Sequence, residues 1–280
     1  LCENYMGRFP VVSISLKGIE EKDYQTARNL IVKVINEEAR RLQFLLESSR
    51  LTSKDKELFS GLLEKEMDNE TLVFSLRELS ELLHKHYGEK VIILIDEYDV
   101  PLAKANEHGY YDQMTMLIRN LFEQTLKTND SLYFAVLTGC LRVAKESIFT
   151  GLNNPKVLSI TTVRFDEYFG FTDSEVKDIL CYYHLEEKYE QIKSWYDGYH
   201  FGNVDVYCPW DVISYCEELT DDRDAEPKDY WLNTSSNDVV KHFIERMDKN
   251  ETTEEMEELM SGATVSKEIH EELTYQGLYD

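Results

Sequence analysis

The chain has 280 residues, 42% hydrophobic and 12% aromatic, which is enough apolar material to fill a core and excludes a disordered polypeptide. Its 54 acidic and 30 basic residues give a net charge of −24, which repels nucleic-acid phosphates, so direct nucleic-acid binding is not expected. No apolar run reaches the length of a membrane span. Five cysteines without a Cys-x-x-Cys pair favour free thiols in a reducing cytoplasm.

The amino-terminal part predicts one strand, three helices and a second strand. Residues 9–16, FPVVSISL, are apolar and β-branched, which is typical of a strand. Apolar side chains then recur at helical spacing over residues 23–48, 53–65 and 69–87. Residues 91–97, VIILIDE, begin with five apolar positions in a row. A half-exposed strand alternates apolar and polar residues, so this run predicts a parallel strand covered by helices on both faces.

The following segments continue the pattern of alternating helices and strands. Residues 110–128 predict a helix, residues 132–138 (LYFAVLT) a buried strand, and residues 157–162 (VLSITT) a fourth strand. Strands separated by helices are typical of right-handed crossovers, so we expect an α/β fold with a three-layer, mostly parallel sheet.

After residue 168 the pattern becomes helical. Thr172 and Glu175 form a capping box at a helix start. We therefore divide the chain into an α/β core, residues 1–168, and a helical subdomain, residues 169–280. Further helices are predicted around residues 186–195, 209–219, 236–247 and 252–260.

Two adjacent carboxylates, Asp96 and Glu97, end the strand at residues 91–97. In open α/β sheets, ligands bind at the carboxyl ends of the strands. An Asp there can hold the magnesium ion of a nucleotide, and a Glu beside it can polarise the water that attacks the γ-phosphate. An apolar strand ending in Asp-Glu is the Walker B pattern of P-loop nucleotide hydrolases. A strand can also end in acids simply because the chain reaches solvent there.

The next predicted strand ends in a small hydroxyl residue, Thr138. In P-loop ATPases the strand after Walker B usually ends in a polar residue that positions the water or senses the γ-phosphate. A threonine can also merely close a strand. Arg142 follows four residues later and can either contact phosphate or face solvent.

Sequence blocks in consistent order over most of the chain resemble the bacterial AAA-ATPase-like family. Its members usually also carry a nuclease-like domain of the PD-(D/E)xK type. The blocks are IDEYDVPL at residues 95–102, LTGCLRVAKESIFTGLNN at 137–154, FGFTDSEV at 169–176, WYDGYHFG at 195–202 with CPWDVISY at 208–215, and YWLNTSSN at 230–237.

This resemblance implies a P-loop ATPase core followed by a helical lid, with ATP and Mg²⁺ as cofactors. It assigns Asp96 to the cofactor and magnesium site. It assigns Glu97 to catalysis, and Thr138 and Arg142 to the region that senses the γ-phosphate.

The phosphate-binding loop of the family, G-x-x-x-x-G-K-[ST], does not occur in these 280 residues. In the family it lies upstream of the segment that begins here. We therefore expect the first strand, the loop and the helix after it to precede residue 1, which leaves the sheet incomplete. We expect this chain alone to bind ATP weakly or not at all. No nuclease constellation occurs, so nuclease activity is not expected.

Two functions follow from these patterns. The first is the Walker B and lid portion of an ATPase that binds and hydrolyses ATP as the full-length protein. The second is a nucleotide-dependent switch or interaction module, with little or no ATPase activity, whose helical half binds a protein partner. Whether this chain is itself an enzyme stays open. Nucleotide is the expected ligand of a cytoplasmic protein, and an oligomer is compatible with this class.

Overall fold

The computed structural model describes residues 5–140, 148–149, 155–231 and 249–265, which belong to two compact units that divide after Pro155. The first unit is an α/β structure, and the second combines helices with a β-hairpin. The predicted division after residue 168 stays a prediction. The elements of the first unit are β1 (Val11–Ser15), α1 (Tyr24–Arg41), α2 (Ser53–Gly61), α3 (Asn69–Tyr87), β2 (Val91–Asp96), α4 (Val100–Glu107), α5 (Tyr111–Leu126) and β3 (Leu132–Leu137).

The helices of the first unit begin and end at residues whose side chains or backbones suit those positions. Asp23 and Asp68 cap α1 and α3 by accepting hydrogen bonds from backbone N–H groups of the first turn. Thr52 and Asp55 form a capping box on α2. Gly88 ends α3 with a φ of 81°, a left-handed conformation that glycine adopts without steric cost. That turn feeds the chain directly into β2.

The three strands are parallel and lie in the order β1-β2-β3. Their register pairs Ser15 with Asp96 and Ile95 with Leu137. The predicted α/β class is confirmed. The strands predicted at residues 9–16, 91–97 and 132–138 are present, and each observed strand is shorter than the predicted segment.

The two faces of this sheet differ in their cover. Ile14 and Ile93 point into a core shared with α1 and α3. On the opposite face Leu94 is 37% exposed and Val136 is 44% exposed. The prediction that helices cover both faces of β2 is therefore wrong for the part of the chain described. An apolar run shows that the side chains of a strand are apolar, but it does not show that a layer of helices covers both faces of that strand.

Among its described residues, the second unit contains four α-helices and a two-stranded antiparallel hairpin. Thr172 and Glu175 form the predicted capping box at the first helix. The predicted helix at residues 236–247 lies outside the described residues. The elements of this unit are α6 (Asp173–Tyr183), α7 (Tyr189–Tyr196), β4 (Asp197–Phe201), β5 (Val204–Tyr207), α8 (Pro209–Asp221) and α9 (Lys249–Met260).

The hairpin of the second unit turns through Gly202 and Asn203. Gly202 has a φ of 54°, and a Cβ there would lie 2.5 Å from Asp166 Oδ2, so a side chain does not fit. Asp166 Oδ2 also accepts a hydrogen bond from the Asn203 N–H at 3.0 Å. The segment that precedes α6 is thereby attached to the hairpin tip.

The predicted fourth strand, residues 157–162, is not a strand. Instead of a ladder, the Ile160 carbonyl accepts a single bond from the Gly202 N–H, and Thr162 N–H turns back to the Ser159 carbonyl. An extended apolar segment becomes a strand only when a neighbouring strand satisfies its backbone groups. No described helix is both long and apolar enough to cross a membrane.

Candidate functional site

One row of polar side chains crosses the carboxyl edge of the parallel sheet. Ser15 is the last residue of β1 and pairs in register with Asp96, the last residue of β2. Thr138 directly follows β3 and is next to Asp96 on the other side, because Ile95 pairs with Leu137. Residues in register on adjacent strands point to the same face. The three side chains therefore meet although they are far apart in sequence.

The Asp96 carboxylate is held from both sides by hydroxyl groups. Thr138 Oγ1 donates to Asp96 Oδ1 at 2.5 Å, and Ser15 Oγ donates to Oδ2 at 3.2 Å. Asp96 is nevertheless exposed. Each carboxylate oxygen has about two acceptor positions, so both oxygens keep capacity for a further partner.

Glu97 breaks the ladder immediately after Asp96. Its φ is 55°, a left-handed conformation that few residues other than glycine adopt. The ladder resumes one residue later, where the Tyr98 N–H donates to the Thr138 carbonyl at 3.0 Å. Non-glycine residues in this conformation cluster at functional sites. The turn places Glu97 beside Asp96 at the edge of the sheet.

The surroundings of Glu97 favour its protonated form. Partial burial raises the pKa of its carboxyl group most, followed by the negative charges of Asp99 and Asp96, while Lys17 opposes them. A carboxylate whose pKa is raised in this way is a stronger proton acceptor once it is ionised.

Gly139 allows the chain after Thr138 to pass close to the turn after β2. A Cβ at Gly139 would lie 2.5 Å from Asp99 Oδ1 and 2.9 Å from Tyr98 Cε1. Any larger residue therefore requires the Asp99 and Tyr98 side chains to move. Partial burial of the Cys140 thiol, followed by the negative charges of Asp99 and Glu97, raises its pKa and disfavours the thiolate form.

The donor atoms at this edge fit a magnesium ion that arrives with other ligands. They are carboxylate and hydroxyl oxygens, which hard cations prefer. Within the described ranges no group of three His, Cys, Asp or Glu residues is placed to enclose a metal ion. Mg²⁺ commonly binds through one or two carboxylates and keeps water or phosphate oxygens for its other positions. Asp96 suits that kind of site.

Three of the residues predicted from sequence, Asp96, Glu97 and Thr138, thus lie together. The fourth, Arg142, lies outside the described residues. Sequence reasoning missed Ser15. The available signal was that β1 and β2 each end in a polar residue and that a polar residue directly follows β3, because the carboxyl ends of parallel strands meet at one edge of the sheet.

A comparison with known families matches residues 2–149 to the AAA-ATPase-like family, described as "Predicted AAA-ATPase". The match covers more than half of the chain and includes the whole row at the sheet edge. The chain belongs to this family. The expected likeness, which rested on IDEYDVPL and the later blocks, is confirmed at the level of the family.

A curated relative is an uncharacterized protein encoded in the vnfD 5′ region of Azotobacter chroococcum mcd 1. It is 29% identical over 160 residues, which are 57% of this chain and 30% of the relative. The chain thus matches less than a third of that relative's length. No solved structure matches this chain.

Proposed function

We propose that this chain is the Walker B and lid portion of a P-loop ATPase that binds and hydrolyses ATP as the full-length protein. The observation that carries the proposal is the row of Ser15, Asp96 and Thr138 at the carboxyl edge of a parallel sheet, with Glu97 turned out beside it. Membership of the family supports it.

Each residue has a role that follows from its position. Asp96 would hold Mg²⁺, which when bound neutralises charge on the nucleotide phosphates. Glu97 takes the proton of the attacking water, because its carboxylate lies next to Asp96 and its pKa is raised. Thr138 orients Asp96 through its hydroxyl group. Arg142 is assigned to the phosphate by the likeness to the family.

We also propose that the strand carrying the phosphate loop pairs with the outer edge of β3. Two observations support this placement. Tyr133 is 47% exposed and Phe134 is 37% exposed, although both belong to a parallel strand. The Tyr5 ring, from the segment before β1, lies edge-on to the Phe134 ring of β3 at 6.0 Å between ring centroids.

Replacement of Glu97 tests the catalytic role. In the full-length protein, Glu97→Gln should reduce ATP turnover by about a hundredfold or more while ATP still binds, because the amide cannot accept the proton. The matched control is Glu89→Gln, an exposed change at the opposite end of β2. Turnover should also fall as the pH drops through the raised pKa of Glu97. Equal turnover of wild type and Glu97→Gln would contradict the proposal.

A specific observation favours the second candidate, a switch or interaction module. The segment before α6 exposes four large apolar side chains, an arrangement often found at binding surfaces. Absence of ATP turnover in the full-length wild type, together with intact ATP binding, would favour the switch. The four side chains, each more than half exposed, are Ile160, Val163, Tyr168 and Phe169.

A further inference from the structure

β1 contributes to the site although it carries none of the residues expected to take part. The Leu16 N–H donates to the Asp96 carbonyl at 2.9 Å, which fixes the Asp96 main chain against β1. The Ser15 hydroxyl donates to the Asp96 carboxylate at 3.2 Å, which restrains its side chain. Ser15, the last residue of β1, and Leu16, which follows it, thus restrain the side chain and the main chain of one aspartate.

The direction of the Ser15 hydroxyl is itself restrained. The Lys17 N–H donates a long hydrogen bond of 3.4 Å to Ser15 Oγ. That N–H occupies one lone pair of the hydroxyl oxygen. The single hydroxyl proton is left to donate to Asp96 Oδ2. The turn after β1 therefore presents Ser15 as a donor.

Two donors on different oxygens hold a carboxylate more firmly than one. Rotation of an aspartate carboxyl group about its terminal bond is broad, so a single hydrogen bond leaves it poorly oriented. Thr138 bonds Oδ1 and Ser15 bonds Oδ2, which together fix the plane of the carboxylate. Partners that orient a metal ligand usually contribute to metal affinity.

We propose that Ser15 is a positioning residue that orients Asp96 for a divalent cation. The proposal rests on the magnesium site of the proposed function. It adds that β1 helps to form the site together with the Walker B strand and the strand that follows it.

A merely structural role for Ser15 predicts a different result. Ser15 and Asp96 are both exposed, so water can replace the hydrogen bond and removing the hydroxyl should hardly change the unfolding midpoint. Orientation of the carboxylate has no such substitute. Metal affinity should therefore change while stability does not.

Mn²⁺ binding to the full chain, measured by electron paramagnetic resonance without nucleotide, separates these roles. Ser15→Ala should weaken the Asp96-dependent site by about tenfold, and Ser15→Thr, which keeps the hydroxyl, should restore most of the affinity. Asp96→Asn defines the binding that belongs to the site. Ser13→Ala is the matched control, because Ser13 is exposed on the same face of β1 two residues earlier. It should leave Mn²⁺ binding unchanged.

The outcomes distinguish this inference from the proposed function. If Asp96→Asn weakens Mn²⁺ binding and Ser15→Ala does not, Ser15 has no positioning role and the proposed function stands. If wild type and Asp96→Asn bind Mn²⁺ equally, or neither binds, Asp96 holds no divalent cation in the nucleotide-free chain and this inference fails, while the turnover of Glu97→Gln still tests the proposed function separately. A matching loss in Ser15→Ala and Ser15→Thr also overturns the inference, as does a lowered unfolding midpoint that accounts for the weaker binding.

Discussion

The two outer edges of the three-stranded sheet differ in how their backbone groups are satisfied. On the β1 side, two side chains from α1 take the place of a neighbouring strand. Glu38 Oε1 accepts from the Ser13 N–H at 2.8 Å, and Arg41 Nη2 donates to the Val11 carbonyl at 2.7 Å. Arg41 and Glu38 also form an ion pair at 2.6 Å, with the Glu38 side chain 5% exposed. This edge is closed to a further strand.

The β3 edge has no comparable cover among the described residues. The Thr138 N–H bonds the Ile95 carbonyl, so Thr138 faces β2, and residues at even spacing along β3 do the same. Ala135 and Leu137, which lie in the regular part of the β2–β3 pairing, therefore direct their backbone groups outward. An unpaired strand edge is a template for pairing with another strand. The contrast teaches that, in the part of the chain described, side chains of α1 satisfy backbone groups at the β1 edge, whereas no such side chains do so at the β3 edge.

Proline substitutions within β3 give the largest expected effect and test which residues face outward. Val136→Pro removes an N–H that bonds β2 and should lower the free energy of unfolding by about 3 kcal/mol. Ala135→Pro removes an outward N–H and should cost about 1 kcal/mol. Urea unfolding followed by circular dichroism measures both. Equal losses of unfolding free energy in the two variants would show that the Ala135 N–H is also hydrogen-bonded, which contradicts an unpaired outer edge of β3.

Loss of the carboxylate that covers the β1 edge should have the next largest effect. Glu38→Ala leaves the Ser13 N–H and the Arg41 guanidinium without their acceptor, which should cost about 2–3 kcal/mol of unfolding free energy. Glu37→Ala is the adjacent control. Glu37 is 61% exposed and lies 3.9 Å from Lys33, so its loss should cost less than about 0.5 kcal/mol. A Glu38 variant as stable as the Glu37 variant would show that the β1 edge is not held in this way.

The smallest expected effect concerns the end of the central strand, between the two edges. Because Glu97 has a φ of 55°, Glu97→Gly should be more stable than Glu97→Ala by about 1 kcal/mol, the reverse of the usual order. Thermal unfolding of the two variants measures the difference. If Glu97→Ala were more stable than Glu97→Gly, residue 97 would not have the left-handed backbone conformation.

Sequence patterns predicted the parts of this fold that depend on a residue's own chemistry. The apolar run at residues 91–97 predicts its strand, and the Thr172 capping box predicts the start of α6. The hairpin at residues 197–207 was missed, although the Gly202-Asn203 pair between two short strands is a turn signal. Its alternating pattern is too short to stand out among helices.

Features that depend on neighbours could not be predicted in the same way. Residues 157–162 have strand composition but no partner strand, and composition carries no information about a partner. Three residues of the candidate site, Asp96, Glu97 and Thr138, could be predicted because they lie where the predicted strands end. Ser15 required the register between β1 and β2, which depends on how the strands pack.

The hydrogen bond between Thr138 and Asp96 has a consequence for assembly. Thr138 follows β3, whose outer edge has no cover like that of β1 within the described ranges, and its hydroxyl is the closer of the two donors to the Asp96 carboxylate. A strand that pairs with β3 restrains the position of Thr138 and, through it, the orientation of Asp96. Under the proposed function, pairing of a further strand with β3 and orientation of the Asp96 carboxylate would then occur together.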